Sequence, residues 1–349
     1  MGANYVDNKK DIYYITCLSV ISAISVVILH GSLIRFSSAC PSKFWIITNF
    51  IMCLLFFAVP IFYMISGATL MDYRERYNTK TYLLKRFKKV GIPFIFWVII
   101  YCLFRIYYMK IPVEGNILLF LYNDCIEGSI MWFFIPLFAI YLIIPLLNSI
   151  PKEKRIKLFT VYSVLIFIFV SLIPSLIHIF SIPLNIRQEF IFTSGLFIYP
   201  LLGYVLNEIN LSKKYRMIFY VLGILGLLAM FLPTQSVYDT THQSTYLFKS
   251  YSYPSTVLYS IAIWIFIKQL CNNYDFTNKF KKIVYFFKPY TFGLYMVHFY
   301  LIIVIARCLK MDLTSFSTTI IIPLIVIPIS ILILYIMKKI PIVRNIVPN

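Results

Sequence analysis

Proton transfer near neutral pH belongs to imidazole before any other side chain, and this chain has four histidines, at positions 30, 178, 242 and 298. His30 comes near the far end of SVISAISVVILHGSLIR, Ser19 to Arg35, where nothing more polar than serine precedes it. Eleven helical steps of about 100° return the chain to within about 20° of its starting face, so Ser19, Ser22 and His30 form a narrow polar seam on an otherwise apolar helix. His298 lies near the middle of YTFGLYMVHFYLI, too deep in an apolar run for headgroups to satisfy both ring nitrogens. His178 and His242, at the end of one apolar run and in a connector, read as solvated or structural.

Two further stretches carry unusual side chains. VPIFYMISG places Pro60 and the Ser66–Gly67 pair in one apolar run, which fits either a simple kink or a break that opens a helix for a ligand. YLLKRFKKVGIPF sets Lys85, Arg86, Lys88 and Lys89 just before Gly91 and Pro93. Anionic lipid headgroups fit such a cluster, and so does a phosphate-bearing ligand. Nucleophile elbow, Walker loop, dinucleotide glycine fingerprint and helical His pair for a metal are all absent. The seven cysteines are scattered without metal or redox spacing and read as small hydrophobes.

The elements that must position these residues are membrane spans. Of the 349 residues 60% are hydrophobic and only 13% charged, and the mean hydropathy is +0.83. That composition excludes a soluble globular domain. A crossing needs about 20 apolar residues, and such runs recur at 12–34, 44–70, 91–109, 129–150, 158–181, 189–206, 216–233, 252–271, 289–309 and 316–337. The expected fold is therefore all-α, a polytopic bundle of about ten transmembrane helices. Alternate connectors and the two ends hold 24 of the 32 lysines and arginines, which places them and both termini in the cytoplasm. The charge of +19 is thus a membrane address and not a nucleic-acid footprint. On the other side the longest connectors are 110–128 and 234–251, too short for a separate domain, so the chemistry must lie inside the bundle. No two glycines stand four apart, and helix packing is expected to come from aromatic and branched side chains. The first run is longer than a signal-peptide core and is expected to be retained.

Four stretches taken together resemble a known family. YYITCLSVISAISVVILHGS, LLFFAVPIFYMISGATL with the following LLKRFKKVGIPFIFW, MWFFIPLFAIYLIIPLL, and KPYTFGLYMVHFYLIIVIAR fall in the order and spacing of the acyltransferase 3 family, integral membrane O-acyltransferases of bacteria. The resemblance implies a single transmembrane domain, 1–349, in the bacterial cytoplasmic membrane. It also implies transfer of an acyl group, usually acetyl from cytoplasmic acetyl-CoA, to a hydroxyl of a surface polysaccharide or its lipid-linked precursor. Acetyl-CoA enters as co-substrate, with no permanently bound cofactor and no metal. The implied partners are the acyl-CoA, the saccharide acceptor and membrane lipids, without nucleic acid.

Residue by residue, His30 matches the family's essential histidine, and His298 the histidine of its ninth span. Arg86, with Lys85 and Lys89, matches the basic stretch that meets the donor. Ser66 and Gly67 match its serine–glycine step and Trp132 with Phe133 its Trp–Phe element; with Glu127 these mark the substrate path. Ser19, a catalytic candidate by its place, stands where the family usually has an arginine; Arg86 serving instead, or a divergent member, are the alternatives. Thr16, Ala68 and Ile130 stand where an aspartate, a tyrosine and a histidine are usual. On the residues alone two other classes stay open: a polysaccharide exporter using His30 and His298 as a proton relay, and a non-catalytic partner of a polysaccharide synthase.

Overall fold

The computed structural model describes residues 12–37, 44–113, 115–180, 195–246, 249–312, 314–341 and 343–347. All of its regular structure is helical: α1 (Tyr13–Ser37), α2 (Trp45–Leu55), α3 (Ala58–Leu70), α4 (Thr79–Arg86), α5 (Ile92–Leu103), α6 (Ile117–Phe120), α7 (Phe134–Leu147), α8 (Lys152–Ile166), α9 (Ile173–Ile179), α10 (Ile198–Glu208), α11 (Lys213–Thr241), α12 (Pro254–Asn273), α13 (Asn278–Phe287), α14 (Thr291–Cys308) and α15 (Phe316–Lys339). Among the described residues, nine stretches are long and apolar enough to cross a bilayer: Tyr13–Leu33, Trp45–Glu75, Thr79–Tyr108, Ile130–Leu147, Lys152–Ile177, Lys213–Thr241, Pro254–Asn273, Asn278–Cys308 and Thr318–Lys339. The chain is a polytopic helical membrane bundle. Of the expected sixth span, 189–206, the first residues lie outside the described ones; the rest forms the start of α10, packed against α3.

α1 sits at the centre and packs on α2, α3, α12, α14 and α15. It is apolar all round, as a fully surrounded helix should be, and Leu18, Val26 and Val27 are buried on it beside Ser22 and Ser25. Around it one contiguous apolar core runs from Tyr14 to Val347.

Four local features differ from the sequence expectation. The second span breaks between α2 and α3 at Phe56 and Phe57, because Pro60 has no N–H to give the Phe56 carbonyl. The Ser66–Gly67 step, in contrast, runs unbroken through α3. The basic segment 85–89 is not a connector: α4, a π-turn at Phe87–Gly91 and α5 form one helical stretch. Asn78 caps it by accepting from the Thr81 N–H at 2.9 Å, and the wider π-turn, placed just ahead of Pro93, absorbs the amide donor that proline lacks. α11 continues eight residues beyond the expected end at 233, through Thr241, carried by Gln235, which donates to Asp239 one turn later at 2.8 Å.

Beside the aromatic and branched residues that pack the core, glycines make close helix contacts of their own. A Cβ on Gly67 would lie 1.9 Å from the Pro200 carbonyl oxygen, and one on Gly203 2.0 Å from that of Met64. α3 and α10 therefore touch backbone to backbone, through glycines on opposite helices that no spacing rule within one helix detects.

Candidate active site

α1 and α14 hold the two histidines 268 positions apart and bring them into contact. Ser19 donates to the Thr291 hydroxyl at 3.4 Å where α14 begins, and farther along both helices His298 Nε2 lies 3.0 Å from His30 Nδ1. The rings are 4.9 Å apart and tilted by 46°. His298 is fully buried and His30 half-buried. Phe299 stands edge-on to His30 at 5.9 Å, and Tyr295 lies 5.8 Å from His298.

The hydrogen-bond partners dictate where the protons sit. His298 Nδ1 faces the Leu294 carbonyl at 3.0 Å, an acceptor, so this nitrogen carries the hydrogen and Nε2 keeps its lone pair. His30 Nδ1 faces that lone pair and also the Val26 carbonyl at 3.0 Å. It too must donate, which leaves His30 Nε2 as the basic nitrogen of the pair. Two neutral imidazoles in line, anchored on a helix carbonyl, hold the first ring's orientation and can stabilise it when it takes a proton.

Ser19 is not beside them. It is eleven residues before His30, about 16 Å along the axis at 1.5 Å per residue; Ser22, between them, is buried, with no hydrogen-bond partner for its hydroxyl among the described residues. The expected donor residues also divide. Arg86 turns into the bundle, its guanidinium 5.8 Å from the Tyr141 ring centre, and the Tyr141 hydroxyl interacts with both Arg86 and Ser66. Lys85 lies 4.1 Å over the Tyr77 ring. Lys89 lines a separate cavity of about 740 Å³ with Lys88, Ile92, Lys338, Arg344, Asn345 and Val347.

On the substrate-path residues, Ser66 donates to the Phe62 carbonyl at 3.1 Å and Gly67 backs onto Pro200. Trp132 stacks on Tyr251 at 5.6 Å, and exposed Glu127 accepts from the Tyr122 hydroxyl at 3.3 Å. His242 caps α11 with φ of 54°, and the His178 side chain lies outside the described residues. Among the described residues no three His, Cys, Asp or Glu side chains converge on a metal-sized site.

Sequence reasoning missed Tyr295, whose hydroxyl donates to the Ile130 carbonyl at 2.7 Å and so ties α14 to the Trp–Phe element. Its place three residues before His298 on one helix was the available signal. It also missed Tyr141, which joins Arg86 to Ser66, Lys338 at the end of α15 and Arg344 in the tail. The sequence offers no local signal for those three.

A family model described as an acyltransferase domain matches residues 12–338, a span that includes the histidine pair, Arg86, Lys89 and Trp132. The chain belongs to the acyltransferase 3 family. No curated protein and no solved structure compared with it matches. It is thus a multi-pass membrane acyltransferase. Within that family identity the four departures acquire surroundings. Ile130, in place of the usual histidine, offers its carbonyl to Tyr295, and Thr16 is buried on α1. Ala68 packs, half-buried, against the apolar core. Ser19 contacts Thr291, not the histidine pair.

Proposed function

We propose that this acyltransferase moves an acyl group, acetyl from acetyl-CoA, to a hydroxyl of a cell-surface polysaccharide or its lipid-linked precursor, in the cytoplasmic membrane of a bacterium. The observation that carries the proposal is the His30–His298 pair, with its protons directed so that His30 Nε2 is the free base. The charge asymmetry of the connectors supports cytoplasmic termini and entry of the donor from the basic end.

In the proposed reaction, His30 Nε2 takes the proton of the acceptor hydroxyl as its oxygen attacks the thioester carbonyl. The carbon–sulfur bond breaks, the ester forms, and the imidazolium returns the proton to the departing thiolate, so the free thiol leaves. General base catalysis of this kind contributes roughly 10²–10⁴-fold. His298, bonded to His30 and to the Leu294 carbonyl, holds the ring and shares the transient charge. Arg86, Tyr141 and Ser66, which contact one another, are assigned to guiding the donor toward the pair, with Lys85 and Lys89 meeting it at the basic end. Ser19 lies on the donor side of the imidazole, so its part is in guiding the donor. Trp132, Gly67 and Glu127 belong to the acceptor approach and its framework, and lipids surround the whole.

The test is transfer of radiolabelled acetyl from acetyl-CoA in membranes, normalised to protein abundance. His30→Ala is expected to lose at least about 100-fold, and His298→Gln, which keeps a polar group but not the relay, less. Unimpaired transfer in His30→Ala removes the imidazole from the chemistry.

A further inference from the structure

Between the end of α10, the start of α11 and the last turns of α12 lies a cavity of about 460 Å³. Its wall is mostly polar, with Asn210, Arg216, Lys268, Gln269, Asn272 and Asn273, and holds no carboxylate. Lys268 serves the fold there: its ammonium donates to the Leu206, Asn207 and Ile209 carbonyls at 2.8, 2.9 and 2.9 Å and so closes α10. The nearby Glu208 is exposed and accepts from Asn207 at 2.8 Å. Arg216 spends one N–H on the Leu211 carbonyl at 2.8 Å, and a guanidinium has five to give. The four amide side chains of the wall have no hydrogen-bond partner among the described residues. Leu206, Ile209 and Leu211 belong at the same time to the wall of a second cavity, an apolar groove of about 310 Å³ between α8, α10, α11 and α12. Along α10 this groove runs from Ile198 to Ile209, about 16 Å of helix, roughly the depth of one leaflet of a 30 Å hydrocarbon core. The spans that contain α8 and α11 are the least covered of the described ones, so the groove is bordered by lipid.

We propose that the two cavities form one binding site for a glycerophospholipid of the leaflet on the side of the Lys213 turn, with its head in the polar cavity and one acyl chain in the groove. A polar chamber that adjoins an apolar slot one leaflet deep matches the two-part chemistry of a lipid. Arg216 turns its remaining N–H groups to the phosphodiester oxygens. The amides donate to and accept from hydroxyls of the head, which favours phosphatidylglycerol over phosphatidylcholine, whose choline brings no hydroxyl. The site stands apart from the acyl-CoA reading, because the lipid is not consumed; it fills the seam where α8, α10, α11 and α12 meet.

The full chain in detergent is titrated with phosphatidylglycerol, phosphatidylcholine and glycerol 3-phosphate, and bound ligand is counted by native mass spectrometry. Arg216→Gln and Asn272→Leu alter the polar cavity, and Val164→Trp fills the groove. Asn272 and Val164 are exposed, so these two variants keep the test open should Arg216→Gln loosen α11, and thermal midpoints confirm folding. The expected result is one saturable phosphatidylglycerol site, about tenfold weaker in Arg216→Gln, as the loss of a charge-assisted hydrogen bond implies, and weakened also in Asn272→Leu and Val164→Trp. Phosphatidylcholine should bind more weakly and glycerol 3-phosphate not at all. Unchanged phosphatidylglycerol binding in both Arg216→Gln and Asn272→Leu overturns the head assignment. Unchanged binding in Val164→Trp, or glycerol 3-phosphate bound as tightly as the lipid, takes the chain out of the groove and overturns the two-part site. A polyprenyl phosphate that displaces phosphatidylglycerol at lower concentration makes this a site for a lipid-linked substrate and overturns the phospholipid assignment.

Discussion

The two ends of the bundle handle positive charge in opposite ways. At the basic end, Lys88 and Arg344 are exposed around an open cavity. At the other end, Lys249, in the connector between α11 and α12, is only 4% exposed and is fully engaged. Its ammonium donates to Asn49 Oδ1 at 2.7 Å, interacts with Cys53 and lies 3.8 Å over the Phe36 ring. Asn49 in turn donates to the Phe231 carbonyl and to Gln235 at 3.3 and 3.2 Å. One lysine thus gathers the end of α1, the start of α2 and the middle of α11. Charge left in water stays available to a ligand; charge buried against fixed neutral acceptors becomes part of the fold. Arg155 shows that side of the membrane is not the cause. It belongs to a basic connector, yet it is buried, bonds Asp72, and donates to the Ile150 and Asn148 carbonyls at 2.7 and 2.8 Å.

This contrast can be broken by experiment, most strongly through pH. Burial pulls the Lys249 ammonium down to about 8, outside the membrane-spanning segments. Below that value folded and unfolded chains are both protonated and the burial cost is present in full. Above it the folded chain releases its proton first, so stability rises with pH until the unfolded lysine also titrates. The thermal midpoint in detergent should therefore increase between pH 7 and 10, by the equivalent of about 2–3 kcal/mol at 1.36 kcal/mol per unit, and Lys249→Met should abolish the increase. A flat profile in the unmodified chain would mean that the ammonium reaches water.

Next in size, Asn49→Leu removes the amide oxygen that accepts from Lys249 and should cost about 2 kcal/mol at pH 7, measured by denaturant or thermal midpoint. Loss of this size should shrink at pH 10, where the amine is neutral. Smallest are Lys88→Gln and Arg344→Gln, expected to stay within about 0.5 kcal/mol in stability. Raising the ionic strength should leave the Lys249 network unmoved, because screening acts on exposed charge. A large stability loss at Lys88 would place the basic end in the same class as Lys249.

Much of this architecture is legible along the chain. Apolar runs and the crowding of cations into alternate connectors are local facts, and the bilayer converts them directly into spans and a topology. His30 and His298 are conspicuous because so little else in their spans can ionise. Helix continuity was harder to see. The basic run 85–89 looks like a connector by composition, but capping by Asn78 and a π-turn ahead of Pro93 keep it helical, and such register shifts leave no mark in hydropathy. Gly67 and Gly203 meet across helices, so a search within one helix could not pair them.

By itself the sequence determined an all-α membrane bundle, a basic end, and two isolated imidazoles in separate spans, since a residue's cost in hydrocarbon depends on its own chemistry. Only the tertiary structure decided that the two rings meet, which nitrogen is left as the base, that Ser19 stands apart from them, and that the tail joins Lys88 and Lys89. Those outcomes depend on distances between residues hundreds of positions apart, and helix packing alone sets such distances.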